Sequence, residues 1–185
     1  MTTATPDRPT EPGATAFIGL GANLGDARAT LRAALDELRA LAAPGSFQAS
    51  ALYGSAPVDS SGPDYVNAVA RLRTVLAPHA LLHALQAIEE RFGRERPYRN
   101  APRTLDLDVL LYGVEGDGGG LELNDDRLTL PHPRAAQRTF VLEPLAELWP
   151  GGAIPGSGAV ADLLAAARRD PAQRVVRLGS GAAGA

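Results

Sequence analysis

Cysteine, lysine and long hydrophobic runs are all missing from this sequence. With no cysteine among the 185 residues, neither a disulfide framework nor a thiolate metal site can form. The first apolar run, residues 14–20, is too short for a membrane span and lacks the flanks of a signal peptide. We therefore expect a cytoplasmic protein with no membrane partner.

The basic residues are uniform in kind and uneven in distribution. All 18 are arginine, and the net charge of −3 argues against a nucleic-acid or general polyanion binder. Five of these arginines nevertheless fall between positions 91 and 103, a segment that contains one acidic residue, Glu95. Such a basic segment in an acidic protein indicates an anionic ligand.

Hydrophobic periodicity predicts four strands and two helices in the order β-α-β-β-α-β. Strand patterns cover 14–22, 47–53, 65–75 and 105–113, and helical patterns cover 27–42 and 78–92. This order predicts an α+β, ferredoxin-like fold, in which a mainly antiparallel sheet carries both helices on one face. Farther along, we expect a short edge strand at 121–123, helices at 140–149 and 159–169, and a last strand at 175–178.

These elements belong to one predicted domain, residues 14–178. The sequence contains no internal repeat and no linker long enough to separate a second unit. We expect residues 1–13 to form a disordered arm and residues 179–185, which are rich in glycine and alanine, to form a frayed tail. We also expect a monomer.

Two carboxylates lie close together in the strand "LDLDVLLYG". Asp106 and Asp108 are two residues apart, so both side chains point to the same face of the strand, about 6.5 Å from each other. An ion pair with Arg99 or Arg103 is the simplest explanation of this pair. The alternative is a Mg²⁺ site, which the arginine-rich segment next to it favours, because carboxylates for metal beside guanidinium groups for phosphate suit a nucleoside triphosphate.

The segment "GLGANLGD" places Gly19, Gly21 and Gly25 between a strand and a helix. A dinucleotide-binding fingerprint occupies such a position, but the spacing G-x-G-x-x-x-G is one residue too long, and no acidic residue ends the next strand. We therefore interpret these glycines as residues that permit a tight turn from strand to helix.

The segment "RLTLPHPR" and the residues after it form a third polar group. His132 lies between two prolines, which stiffen the backbone and present the side chain, in the company of Arg134 and Arg138. On the second helix, Gln86 and Glu89 share a face, and from their type alone we expect both to be solvated.

Taken in order, five segments resemble the 6-hydroxymethyl-7,8-dihydropterin pyrophosphokinase family of the folate pathway. They are "FIGLGANLGD", "SALYGSAPVDSSGPDYVNAVARLRT", "LLHALQAIEERFGRER", "APRTLDLDVLLYG" and "LTLPHPRAAQRTFVLEPLAEL", within about residues 17–150. The resemblance implies a ferredoxin-like core in α/β/α layers. It also implies transfer of pyrophosphate from ATP to the hydroxymethyl group of the pterin, with release of AMP and the use of two Mg²⁺ ions.

The same resemblance implies roles for individual residues. Asp106 and Asp108 would hold both metal ions, and Arg94 and Arg103 would stabilise charge on the transferring group. The positions implied to contact ATP are Gln86, Glu89, Arg96, Val109 (against adenine), Arg127, Thr129, His132 and Arg138. The positions implied to form the pterin pocket are Ser55, Val58, Tyr65, Asn67 and Phe140.

Some positions depart from the family pattern. Many members have a tryptophan where this chain has Asn100 and Ala101, so one pterin-stacking contact is missing unless Tyr98 replaces it. Ser55 replaces the threonine that is more usual in the family, and Ala22 replaces a serine. Because the metal pair and both catalytic arginines are present, we expect the same reaction with an altered affinity for the pterin.

Two other functions agree with parts of the sequence. A ferredoxin-like sheet also serves as an RNA-binding platform, but that function needs stacked aromatic residues and a basic surface, and this acidic chain has nine aromatic residues. An ordinary kinase that moves only the γ-phosphoryl group would use Mg²⁺ and arginine in the same way, and only the identity of the product separates the two reactions.

Overall fold

The architecture is described by a computed structural model for residues 13–58, 61–93, 104–116 and 119–179. The predicted arm and tail therefore lie outside the described residues, except for Gly13 and Gly179.

Within the described residues, the main sheet has six strands, and all of their pairings are antiparallel. Numbered in chain order, the strands are β1 (Ala14–Ala22), β2 (Gln48–Ala49), β3 (Tyr53–Ser55), β4 (Tyr65–Thr74), β5 (Asp106–Tyr112), β6 (Leu123–Asn124), β7 (Thr129–Leu130), β8 (Ala153–Ile154), β9 (Gly158–Ala159) and β10 (Val175–Arg177). The order across the sheet is β10-β3-β4-β1-β5, and β2 also pairs with β4. The pairs β6–β7 and β8–β9 form two small separate ribbons.

Four α-helices cover the two faces of this sheet in the described part of the chain. They are α1 (Ala27–Arg39), α2 (Pro78–Arg91), α3 (Thr139–Leu148) and α4 (Val160–Ala167). The Asp26 carboxylate caps α1 by accepting the Ala29 N–H at 3.0 Å, as its position in the sequence predicts. Pro78 occupies the first turn of α2, where a missing N–H costs nothing.

Alternate residues of the strands enter two separate cores. Ile18 on β1 packs with residues of α1 and α2, such as Leu31 and Leu85, on one side of the sheet. Phe17, its neighbour in sequence, packs on the other side with α3 and α4 and stacks on Trp149 at a centroid distance of 5.2 Å. The result is the predicted α/β/α arrangement with a ferredoxin-like core.

The predicted bounds are confirmed to within about three residues for strands β1, β4 and β5 and for helices α1 and α2. The prediction of one continuous strand at 47–53 is wrong, because the chain forms two short strands, β2 and β3, in this region. The break falls at Ala51, whose N–H donates to the carboxylate of Glu147 on α3 at 3.0 Å instead of to a neighbouring strand. A contact from a helix 96 residues away therefore interrupts the strand.

The short edge strand expected at 121–123 corresponds to β6, which is shifted to Leu123–Asn124. Strand β6 pairs with β7 in a ribbon of its own and does not extend the main sheet. Asp125 makes the turn of this ribbon, because its Oδ1 accepts the N–H groups of Arg127 and Leu128 at 2.8 and 2.9 Å.

Among the helices in the described ranges, none has the length and apolar character that crossing a bilayer requires.

Candidate active site

A cavity on the α3 side of the sheet contains the two carboxylates of β5. Asp106 and Asp108 both line it, which confirms that they share a face, while Leu107 points into the opposite core. Both side chains are half-buried. Across the strand pair, Gly21 lies in register with Asp106 and Gly19 with Asp108.

The two glycines of β1 correct the interpretation of "GLGANLGD" as a turn. Of its three glycines, only Gly25 has a positive φ, +60°, and it lies in the turn that leads to α1. Gly19 and Gly21 are regular strand residues whose backbone lines the cavity. Sequence reasoning missed their place in the site, although strand alternation in β1 puts both of them on one face.

One wall of the cavity is formed by the five residues predicted for the pterin pocket: Ser55, Val58, Tyr65, Asn67 and Phe140. Asn67 is 4% exposed, and its Nδ2 donates to Ser55 Oγ at 2.9 Å and to the Tyr53 carbonyl at 3.4 Å. The loop before β4 is tied to the end of β1, because Asn23 donates to the Pro63 carbonyl at 3.2 Å. The structure therefore brings this set together from strands β3 and β4, the loop after β3, which contains Val58, and helix α3.

Basic side chains also line the cavity. They are His132, Arg134 and Arg138, and the Arg138 guanidinium lies over the ring of Phe140 at 5.4 Å from its centre. The His132 N–H donates to the Leu110 carbonyl on β5 at 2.9 Å, which ties the loop to the strand of the two carboxylates. Burial lowers the pKa of His132, and the charge of Arg138 acts in the same direction, against the opposing effect of Asp106. This keeps the imidazole neutral at pH 7. Arg134 was not assigned a role from the sequence, although it lies two residues from His132.

Five of the positions predicted to contact ATP lie outside this cavity. Val109 is buried in the core that α1 and α2 cover, on the other side of the sheet, and Gln86 is exposed on α2. Arg127 is exposed in the β6–β7 turn, and the Thr129 hydroxyl contacts Asn124 Oδ1 at 3.1 Å. The predicted contacts of these residues with ATP stay predictions.

Glu89, the fifth of these positions, is not solvated as its type suggested. Its side chain is 2% exposed, and its Oε1 accepts the Leu107 N–H at 2.9 Å. Leu107 is the residue between the two cavity aspartates. Glu89 therefore supports the strand that carries them from the opposite side of the sheet.

Three predicted residues, Arg94, Arg96 and Arg103, lie outside the described residues, as do Tyr98, Asn100 and Ala101. In the part of the chain that is described, no three His, Cys, Asp or Glu side chains form a cluster that could hold a metal ion. Two carboxylates alone suit Mg²⁺, which retains several waters and takes its other ligands from substrate phosphates. Asp106 and Asp108 fit such an ion, since both face the cavity and their register partners on β1 are glycines.

Comparisons with known proteins agree on one family. The family model for 7,8-dihydro-6-hydroxymethylpterin-pyrophosphokinase matches residues 17–150. A relative from Pseudomonas aeruginosa is 44% identical over 151 residues, 81% of this chain and 90% of its own, and one from Synechocystis is 42% identical over 143 residues, 77% of this chain and 70% of its own. Both are named 2-amino-4-hydroxy-6-hydroxymethyldihydropteridine pyrophosphokinase.

Solved structures support the fold. A crystal structure of wild-type Plasmodium falciparum HPPK-DHPS with SDX-DHP superimposes with a TM-score of 0.62 over 83% of this chain, at 13% identity. This chain spans 44% of that one, and at such low identity the likeness concerns the fold alone.

Proposed function

Because this chain belongs to the 7,8-dihydro-6-hydroxymethylpterin-pyrophosphokinase family, we infer that it transfers the pyrophosphoryl group of ATP to the hydroxymethyl group of 6-hydroxymethyl-7,8-dihydropterin, a step of folate biosynthesis. One observation is the main support for placing this reaction in the cavity. A pair of carboxylates and a buried amide beside aromatic side chains line the same space. A phosphate-binding half and a ring-binding half therefore share one cavity.

On the phosphate side, Asp106 and Asp108 would hold Mg²⁺, and we propose two ions. When bound, Mg²⁺ neutralises charge on the phosphates and lowers the pKa of a coordinated hydroxyl. Arg134 and Arg138 place positive charge in the same cavity, and a guanidinium fork matches phosphate oxygens. Arg94 and Arg103 are proposed to stabilise the charge on the transferring group.

On the ring side, the flat face of Phe140 offers a stacking surface, and the amide of Asn67 offers a hydrogen bond to the edge of the pterin. The Asn67 NH₂ group is already taken by Ser55 and by the Tyr53 carbonyl, so its oxygen is the atom available to the ligand. An amide oxygen accepts, and the pterin edge carries ring N–H and amino donors. The pterin is therefore held by an acceptor of fixed orientation.

The reaction joins the two halves. The hydroxymethyl oxygen forms a bond to the β-phosphorus, the bond from that phosphorus to the α,β-bridging oxygen breaks, and AMP leaves with the bridging oxygen and its electron pair. The hydroxyl proton is released to solvent. Positioning the oxygen in line with the β-phosphorus is the main task of such a site.

The test is nucleotide product analysis by chromatography with purified protein, MgATP and the pterin. We expect AMP and pterin diphosphate in equal amounts, and no product when Mg²⁺ is removed. Formation of ADP in place of AMP would show a kinase that moves only the γ-phosphoryl group. A reaction that proceeds unchanged in a chelator would refute the role of the metal.

A further inference from the structure

The register of the sheet places one glycine between the two halves of the cavity. Gly21 on β1 pairs with Asn67 on β4 along one edge and with Asp106 on β5 along the other. Adjacent strands lie about 4.8 Å apart, so roughly 10 Å separate the backbones of the ring-binding and metal-binding residues. The backbone of Gly21 is the floor between them.

The fold itself does not require glycine at this position. Gly21 is absent from the residues with positive φ, and a Cβ there would meet Asn67 Oδ1 at 3.5 Å and Tyr65 Cδ1 at 3.9 Å, both ordinary contacts. Glycine weakens a strand because it has no side chain to pack. The reason for glycine here therefore lies in the cavity that it lines.

The neighbouring amide points to what occupies this space. Asn67 is 4% exposed, its Nδ2 is hydrogen-bonded, and its Oδ1 is directed toward Gly21. No donor among the described residues reaches this oxygen, so a ligand donor is its natural partner. A ligand that donates to Asn67 Oδ1 therefore lies directly beside the backbone of Gly21.

On the basis of the proposed function, we propose that Gly21 is a specificity-determining residue of this site. Its missing side chain keeps open the space that the one-carbon hydroxymethyl arm crosses, from a ring held at Asn67 to a phosphate held near Asp106. A methyl group at this position would displace the arm while leaving the nucleotide side unchanged. The enzyme consequently selects acceptors with an unbranched arm.

The first experiment replaces the glycine with alanine, Gly21→Ala. A displacement of about 1 Å of a reacting group costs about 100-fold in rate, so we expect kcat/KM for the pterin to fall about that much. The dissociation constant of a nonhydrolysable ATP analogue with Mg²⁺, from calorimetry, should change less than twofold. Gly54→Ala is the control, because Gly54 is also a strand glycine, does not line the cavity, and has the flexible side chain of Leu178, at 3.2 Å, as the nearest neighbour of an added Cβ.

The second experiment uses the wild-type enzyme and is independent of folding. A dihydropterin whose arm carbon bears one additional methyl group should have a kcat/KM at least tenfold lower than the natural acceptor. Equal turnover of the branched acceptor, or a Gly21→Ala enzyme with kcat/KM within twofold of wild type, would overturn the inference. Failure of wild type to form AMP would instead refute the proposed function.

Discussion

Removing the carboxylate of Glu89 tests how the strand that carries the two proposed metal ligands is supported. Glu89→Ala leaves the Leu107 N–H without the acceptor that lies 2.9 Å from it in the native protein. Leu107 is 4% exposed, so water cannot readily replace the lost partner. The strand between the two aspartates then contains an unsatisfied backbone donor.

The expected loss of stability follows from that donor. Leaving a buried polar group unpaired costs about 1–3 kcal/mol, so the free energy of unfolding should fall by about 2 kcal/mol. For a protein of this size, such a loss corresponds to a decrease in Tm of about 4–8 °C. Urea unfolding followed by circular dichroism measures the free energy, and Glu89→Gln, which keeps an acceptor oxygen, is the control that should lose less.

The same change should weaken the metal site. Groups that orient metal ligands typically contribute 10–100-fold in metal affinity, so we expect the Mg²⁺ concentration for half-maximal activity to rise about tenfold or more in Glu89→Ala. If the free energy of unfolding of Glu89→Ala lies within 0.5 kcal/mol of the wild-type value, or if the variant needs no additional Mg²⁺, then Glu89 does not support the strand.

Three further predictions concern single positions. Asp108→Asn should lower kcat by more than about 100-fold in the product assay, because it removes the charge of a proposed metal ligand. Burial and the hydrogen bond to Glu147 raise the pKa of Tyr53 to about 12, so its stabilising contribution is present below pH 10 and is lost as the pH rises toward 12. Tyr53→Phe should flatten this decline in Tm. Gly152→Ala should destabilise the protein by about 1–3 kcal/mol in urea, because a Cβ there would overlap the indole of Trp149.

Two of these predictions have a control variant, and each has an outcome that would contradict it. Asp162→Asn removes an exposed carboxylate from α4 and should retain full activity. Gly179→Ala adds a methyl group where no atom lies within 4 Å, so its stability should match wild type. Equal stability of Gly152→Ala and Gly179→Ala would contradict the packing argument. If the Tm of Tyr53→Phe falls at alkaline pH as much as that of wild type, another group causes the decline.

The sequence alone predicts most of the core. Strands β1, β4 and β5 and helices α1 and α2 follow from periodicity, capping and breakers, which act over a few residues. The shared face of Asp106 and Asp108 follows from strand alternation in the same way. The family resemblance, carried by ordered motifs, predicted a group of five residues that the structure brings together in one cavity.

Other features depend on segments that are distant in the chain. The break between β2 and β3 arises from Glu147 on α3, and the burial of Glu89 arises from its contact with β5. Strand alternation points Val109 away from Asp108, but only the packing of α1 and α2 on that face decides that Val109 is buried in their core. Residue type and local spacing contain no information on which face of a strand meets which helix.

Gly21 illustrates the difference between what local sequence patterns predict and what strand register decides. Its sequence context indicated a turn, and only the register of β1 against both β4 and β5 places it between Asn67 and Asp106. Local patterns determine which side chains share a face, because that depends on backbone geometry over two to four residues. The tertiary structure alone decided what each face meets, because strand register and helix packing join residues that the chain separates by many tens of positions.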